Sequence, residues 1–247
     1  MNDRDRLFDS GIHKTEDFVF DERVVRVFPD MINRSVPGYA LVVPMIGMLA
    51  RRYAQANTRL YDLGCSLGAV SLAMRSAVRT QGTEIFAVDN SADMIRQLRS
   101  VLGSGDDESL PRINLLQQDI VETPIENASV VVMNFTLQFI DPAQRSGLLR
   151  RIASGLNPGG ILVLSEKIRF EDPLEQELQT AWHHDFKRAQ GYSELEIAHK
   201  RDALENVMKP DSMEQHRHRL RETGFERIYP WFQGFNFVSM VAFGPSE

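Results

Sequence analysis

Two glycines four positions apart, set between an apolar stretch and a helical pattern, constrain this chain more than any other feature. Tyr61-Asp62-Leu63-Gly64-Cys65-Ser66-Leu67-Gly68 reads as a strand that ends in a Gly-rich loop. Behind it Val70, Ala73, Met74, Ala77 and Val78 recur with helical period. Glycine permits positive φ and lets backbone approach a bulky ligand where a Cβ would collide. The helix that follows turns its free N–H groups and positive dipole end toward the carboxyl edge of a sheet, as at a nucleotide or nucleoside site. A tight strand-to-helix turn needs glycine too, so the pair alone leaves both readings open.

The next strand sharpens the choice. Glu84-Ile85-Phe86-Ala87-Val88-Asp89 is apolar and ends in an acid, and Asp89 falls 21 positions after Gly68. That is close to the ~20-residue spacing at which a carboxylate accepts hydrogen bonds from ribose hydroxyls. Asn90 follows, and Ser91 is a natural cap for a helix carrying Met94, Ile95, Leu98, Val101 and Leu102. A third strand is expected over residues 113–117, with Asp119 and Ile120 beyond it. An acid there can accept from an exocyclic amine while the isoleucine packs on a purine; Asp119 also fits an ordinary turn. Residues 129–135 form a fourth strand, apolar enough to be buried on both faces, with Asn134 at its carboxyl end where ligands of open sheets gather.

Leu148, Leu149, Ile152 and Leu156 mark another helix, stopped by Asn157-Pro158-Gly159-Gly160 before a strand over residues 161–166. Two last strands, over 226–233 and 236–244, are expected as an antiparallel hairpin turning at Gly234. The alternation of strands and helices predicts an α/β fold with a doubly wound, mostly parallel seven-stranded sheet.

With 247 residues and 43% hydrophobic content, the chain suffices for one large α/β domain with appendages. Lys+Arg 28 against Asp+Glu 34 gives a net charge of −6, which argues against an extensive phosphate-contacting surface and so against direct nucleic-acid binding. Cys65 is the one cysteine; no intramolecular disulfide is possible, a reducing compartment is expected, and Cys65 reads as a packed residue more than a nucleophile. Residues 1–10 are charged and lack the apolar stretch of a signal peptide. The longest apolar run, 40–50, is broken by Pro44 and Gly47 and falls short of the ~20 residues that span a bilayer. A cytoplasmic protein with no membrane contact is expected. Residues 103–108 read as a surface loop.

Residues 1–54 are expected as an N-terminal helical extension and lid, and 55–247 as the ligand-binding domain with a helical insert at about 167–224. Asp21 would cap a short helix and Pro29 would open a second, with Met31 and Ile32 on its apolar side. Arg34-Ser35-Val36-Pro37-Gly38-Tyr39 turns the chain, either as a helix stop or as a lid that brings Tyr39 to the ligand. In the insert, Leu174, Leu178, Trp182 and Phe186 share one helix face, which would cover the pocket or pair with another subunit. His183 and His184 are adjacent, so they point to different faces and make no metal pair; no metal is expected. Ser193 and Glu196 form a possible capping box for a helix in which Ile197, Arg201, Leu204 and Met208 fall at i, i+4, i+7 and i+11. Arg201 thus interrupts an apolar stripe. A buried arginine is costly unless paired and its planar fork suits a carboxylate; on the residues alone, an internal pair with Asp or Glu, or a side chain reaching the rim, is the commoner reason for such an arginine.

Asp62-Leu63-Gly64-Cys65-Ser66-Leu67-Gly68, Asp89, Asp119 and Asn157-Pro158-Gly159-Gly160 resemble the successive motifs of class I S-adenosylmethionine-dependent methyltransferases, over roughly residues 55–245. More closely, Arg34-Ser35-Val36-Pro37-Gly38-Tyr39, Asn134-Phe135-Thr136-Leu137-Gln138-Phe139 and His183-His184-Asp185-Phe186-Lys187-Arg188 resemble the carboxy-S-adenosyl-L-methionine synthase family through nearly the whole chain. The resemblance implies a Rossmann-like fold. It also implies an enzyme that takes prephenate and S-adenosylmethionine and makes carboxy-S-adenosylmethionine and phenylpyruvate, as a homodimer, the product passing to an enzyme that modifies the tRNA wobble uridine. A sulfonium ylide that traps CO2 before it escapes, with the departing hydroxide as base, would need a dry pocket and positive groups near carboxylates. The resemblance puts the cofactor on Tyr39, Gly64, Cys65, Ser66, Asp89, Asn90, Asp119, Ile120 and Asn134, and gives Arg201 to the added carboxylate. An ordinary small-molecule methyltransferase and a non-catalytic S-adenosylmethionine-binding module share these motifs and stay open, since reaction type lies outside them.

Overall fold

Alternation of apolar residues along the central strands decides how the layers form. In β4 (Ala128–Asn134) every residue but the last is buried. Val130 and Val132 face one layer and Val131 and Met133 the other, because successive strand side chains point to opposite faces. Against the first face pack α2 (Tyr39–Tyr53) and α3 (Ala69–Ala77), through Val42, Ile46, Val70 and Met74. Against the second pack α5 (Pro142–Gly155) and α8 (Met213–Glu222), through Leu148, Ile152 and Leu220. α2 and α3 approach closely at Gly47, where a Cβ would stand 2.8 Å from the Ala73 carbonyl oxygen. The computed structural model describes Asp5 and residues 22–103, 109–205 and 207–245. Asp21 with its expected cap, residues 1–4 and 6–10, and residues 104–108 of the expected surface loop lie outside the described residues.

Seven strands make one sheet, in the order β3-β2-β1-β4-β5-β7-β6. The others are β1 (Arg59–Leu63), β2 (Glu84–Asp89), β3 (Arg112–Gln117), β5 (Leu156–Lys167), β6 (Arg227–Gly234) and β7 (Phe237–Phe243). The first five run parallel, and β7 joins β5 and β6 antiparallel. The expected doubly wound, mostly parallel seven-stranded sheet is therefore what forms. From β1 the chain winds outward through β2 and β3, then returns to add β4 on the opposite side. This β1/β4 border is the switch point of the sheet, where adjoining crossovers diverge and leave a crevice.

Before β1 the chain forms α1 (Glu22–Ser35) and then α2. Between β5 and β6 it forms α6 (Pro173–Ala189), α7 (Glu194–Glu205) and α8; α4 (Ala92–Leu102) connects β2 to β3. Ser91 caps α4 by accepting the Met94 N–H at 3.3 Å, as its position predicts. The Ser193–Glu196 box at α7 also forms. Among the described residues no helix is long and apolar enough to cross a membrane.

Three local expectations are corrected. Pro29 does not open a helix; it lies inside α1, which is continuous from Glu22. Asn157-Pro158-Gly159-Gly160 does not merely precede a strand: β5 begins at Leu156, and a shift in its pairing with β4 takes up those residues, with Gly159 at φ +76°. The hairpin turns on Phe235 at φ +53°, not on Gly234, because Gly234 still pairs with Phe237 and leaves a two-residue loop.

A buried arginine does exist, at Arg145 on α5, 1% exposed. Its guanidinium bonds Asp211 Oδ2 at 2.6 Å and the carbonyls of Ile140, Gln138 and Lys209. Arg219 reaches the same Asp211 oxygen at 2.6 Å. This knot ties α5 and α8 to the segment that returns from α7.

Candidate active site

A cavity of about 300 Å³ opens at the carboxyl ends of the strands, beside the β1/β4 border. Its wall contains all nine residues singled out for the cofactor: Tyr39, Gly64, Cys65, Ser66, Asp89, Asn90, Asp119, Ile120 and Asn134. Local backbone bonding brings the first group together. The Gly64 and Cys65 N–H groups donate to Val88 O at 2.8 and 2.9 Å, which locks the loop after β1 to the end of β2. Gly64 has φ +80°, and a Cβ on it would stand 2.4 Å from Thr136 Cγ2, so only glycine lets this loop pass. Asp89 Oδ1 accepts the Ser91 N–H at 2.9 Å and Oδ2 the Ser66 N–H at 2.8 Å. Each oxygen keeps a lone pair for a ligand hydroxyl.

Charge is finely balanced at this end. Asp62 is 1% exposed and accepts the Ser71 hydroxyl at 2.6 Å. Burial pushes its pKa up to about 7, with the Asp89 charge adding to the rise and the Ser71 bonds opposing it. Burial likewise raises Asp89, against the pull of its two N–H donors. The Cys65 thiol is held well above its ordinary range, by burial first and then by Asp62 and Asp89, so it stays protonated and is no nucleophile. Tyr39 opens α2, its ring centroid 6.4 Å from that of Phe135, and burial with the Asp62 charge keeps its hydroxyl protonated.

Asp119 is exposed, its Oδ1 accepting the Val121 N–H at 2.8 Å, and Ile120 beside it is buried. Asn134 Oδ1 is buried without a hydrogen-bond partner among the described residues. A carbonyl acceptor left bare at the end of a central strand fits a ligand that brings its own N–H or ammonium donor, since such a group is costly to leave unmatched. Phe135 follows at φ +62°, turning its ring between Tyr39 and Phe237.

Several residues in the wall or directly behind it carried no role in the sequence reading. Glu166, fully buried at the end of β5, accepts the N–H groups of Leu137 and Gln138 at 2.9 and 2.8 Å and so fixes the short turn Leu137–Phe139. Gln138 returns a bond, its Oε1 accepting the Lys167 N–H at 2.9 Å. Lys167, the last residue of β5, then enters the cavity wall, and burial lowers its pKa. From α6 come His183 and Lys187, four positions apart and so on one helix face. His183 Nε2 lies 2.9 Å from Ser35 O and donates to it; burial, then the charges of Lys187 and Lys167, push its pKa down to about 2, so it is neutral. The signals were present, a cation just past a strand end and an i, i+4 pair, but neither pattern reports burial.

Arg201 is the exception among the expected site residues. It is exposed and does not line the cavity, although Leu204 and Met208 of the same segment do. Ile197 alone of the stripe is fully buried; the long Arg201 side chain carries its charge outward. On α6 the expected apolar face divides as well. Leu174, Leu178 and Trp182 are 63%, 41% and 43% exposed, while Phe186 is half-buried. Among the described residues no cluster of three or more His, Cys, Asp or Glu side chains is placed to hold a metal ion.

Residues 60–160 match the family model described as a methyltransferase domain. Over 241 residues the chain is 57% identical to a Pseudomonas putida (strain GB-1) protein named carboxy-S-adenosyl-L-methionine synthase, aligning 96% of this chain with 97% of that one. A protein of the same name from Stutzerimonas stutzeri (strain A1501) is 55% identical over 244 residues, 98% of each chain. Human N-acetylserotonin methyltransferase, solved in complex with S-adenosylmethionine, superposes with TM-score 0.61 at 16% identity, covering 91% of this chain and 55% of that one, and shares the fold.

Proposed function

The chain belongs to the carboxy-S-adenosyl-L-methionine synthase family, a family of enzymes, and from that premise we propose that it moves a carboxyl group from prephenate to S-adenosylmethionine. The products are carboxy-S-adenosylmethionine and phenylpyruvate, the former destined for an enzyme that modifies the wobble uridine of tRNA. One observation carries the reading: nine residues that suit a nucleoside sulfonium share a single cavity with two lysines that suit a carboxylated partner.

In this proposal Asp89 takes the ribose hydroxyls, Asp119 and Ile120 the adenine, and Asn134 the ammonium group through its bare Oδ1. Tyr39 closes over them from the start of α2, so that residues 1–54 serve as extension and lid to the binding domain of 55–247. S-adenosylmethionine supplies a methyl group whose protons are acidified by the neighbouring sulfonium. The ring carboxyl of prephenate leaves as CO2, its bonding electrons aromatise the ring, and hydroxide departs. Hydroxide takes the methyl proton as water, and the carbanion captures the CO2. The chain's part is to hold the two carbon centres together and keep water out, which the ring pair Phe135 and Phe237, centroids 5.8 Å apart, supports. Arg201 is proposed to meet the added carboxylate, and a homodimer in the cytoplasm is the proposed working form.

The test is a label-transfer experiment. With prephenate labelled at its ring carboxyl, the protein should yield phenylpyruvate and a nucleoside heavier by CO2 in equal amounts, and the label should reside in the nucleoside. If the S-methyl label passes to some acceptor while prephenate stays intact, the enzyme is an ordinary methyltransferase. Binding without turnover would leave a non-catalytic module.

A further inference from the structure

Three consecutive residues at the end of β5 carry the turn that follows β4. Ser165 O accepts the Phe135 N–H at 2.7 Å. Glu166, 0% exposed, takes the Leu137 N–H on Oε1 at 2.9 Å and the Gln138 N–H on Oε2 at 2.8 Å. The Lys167 N–H donates to Gln138 Oε1, and Gln138 Nε2 reaches back to Phe135 O at 3.4 Å. Arg145 holds the end of the same segment, donating to Gln138 O at 3.2 Å and to Ile140 O at 2.9 Å. Burial pushes the Glu166 pKa up to about 8, opposed by its two N–H donors and the Arg145 charge. Both of its oxygens are occupied by backbone N–H groups, so a carboxyl proton would meet no acceptor among the described residues. The turn already closes itself, the Phe139 N–H donating to Thr136 O at 3.0 Å. What the carboxylate adds is a fixed place for the turn on the sheet, through charge-assisted bonds stronger than neutral ones. That place matters to the cavity, whose wall takes Asn134, Phe135, Thr136, Gln138, Phe139 and Ile140 from this one segment.

We propose that Glu166 is a positioning residue for the carboxyl transfer: by pinning the turn over residues 135–140 to β5, it fixes the wall that keeps CO2 beside the S-methyl carbon until capture. This rests on the carboxyl transfer proposed above. Once the ring carboxyl has left, two fates compete for the CO2. In the first, hydroxide takes the methyl proton and the carbanion forms a C–C bond to the CO2 carbon. In the second, CO2 drifts off and takes up the hydroxide as bicarbonate, and S-adenosylmethionine keeps its methyl protons. Phenylpyruvate forms in both, so the wall governs what becomes of CO2 and not its departure. Capture depends on the two carbons being held in line, and a misplacement of about 1 Å can slow such an oriented step by about 100-fold.

Glu166→Gln tests the role at saturating S-adenosylmethionine and prephenate. The amide keeps one acceptor but turns an N–H donor toward the other backbone N–H, so the turn has to move. Carboxylated nucleoside formed per phenylpyruvate, one in the unmodified protein, should fall below about 0.5. Affinity for S-adenosylmethionine should change less than about threefold, because Asn134 keeps its strand pairing with Ser165. The ratio is read per turnover, so a loss of folded molecules cannot move it. A ratio that stays at one in a folded Glu166→Gln protein, whatever its rate, overturns the proposal. Where that variant does not fold, Gln138→Met decides in its place. It frees the turn from the Lys167 N–H and Phe135 O without touching the carboxylate; a fall in the ratio upholds the proposal and a ratio of one overturns it. If the unmodified protein leaves prephenate intact, the carboxyl-transfer reading falls and takes this role with it, whereas a ratio of one in variants of an active enzyme removes only the role of Glu166.

Discussion

Asp89 Oδ2 accepts the Ser66 N–H at 2.8 Å, so the acid that ends β2 is bonded to the loop that follows β1. Ser66 sits at φ +49°, a conformation that needs such a tether. In the proposed function this one carboxylate has two jobs, shaping the loop and receiving the ribose. Asp89→Ala should weaken S-adenosylmethionine binding by about 10- to 100-fold, because charge-assisted bonds are lost together. It should also lower Tm by several degrees through the freed Ser66 and Ser91 N–H groups. Calorimetric titration and thermal melts read the two effects separately, and unaltered affinity would remove Asp89 from the site.

Arg145 and Asp211, 66 positions apart, are joined at 2.6 Å with the arginine side chain 1% exposed. Removing one member of a buried pair leaves the other uncompensated, at a cost of about 3–5 kcal/mol. Arg145→Ala should therefore lower Tm by roughly 6–20 °C for a chain of this size. Asp211 has a second cation, Arg219, so Asp211→Asn strands two arginines and should cost no less. A double substitution of Arg145 and Asp211 that is milder than the sum would show the coupling; strict additivity would argue against it.

What the sequence revealed and what it hid divide along one line. The Gly64–Gly68 loop, the acid ending β2 and the bare amide at the end of β4 all lie within a few residues of a strand end, where turn chemistry and apolar runs are local signals. Their convergence on one cavity followed from the switch point of the sheet. Lys167, His183 and Lys187 carry no local mark of burial, since a lysine beyond a strand or on a helix is normally solvated; contacts made far along the chain, such as His183 on Phe237, enclose them. Arginine shows the same limit. The stripe on α7 suggested burial at Arg201, yet the arginines buried among the described residues are Arg34 and Arg145, and the Asp211 partner of Arg145 lies far along the chain.

Asp62 gives the site a pH dependence. Its folded pKa of about 7 lies above its ordinary 3.8, so between those values the folded chain keeps a proton that the unfolded chain has lost. Stability from this group is full below the ordinary value and declines as pH rises toward 7. A cationic ligand against Asp62 reverses the preference by favouring the carboxylate. S-adenosylmethionine affinity should therefore rise from pH 5.5 to 7.5, and binding at pH 6 should release a proton, visible as a binding enthalpy that varies with the ionisation enthalpy of the buffer. Asp62→Asn should flatten the profile; an unchanged slope would assign the dependence elsewhere.

Arg201 is exposed in the single chain, while Leu204 and Met208 beyond it reach the cavity wall. For its guanidinium to meet the carboxylate of the product, either α7 shifts or a second copy of the chain presents it. Only the carboxylated product carries that group, so Arg201→Ala should weaken the product by about 10- to 100-fold and S-adenosylmethionine by less than about threefold, measured by competitive titration. Equal weakening of both ligands would contradict that role and mark Arg201 as a structural ion-pairing group. Mixing decides the geometry. Arg201→Ala and Asp89→Ala chains, each impaired alone, can form sites that combine an intact Asp89 with an intact Arg201 only if the two residues come from different copies. Recovered label transfer in the mixture, absent when the same substitutions sit on one chain, would place Arg201 across an interface; no recovery despite demonstrated exchange of chains would place its action within its own chain.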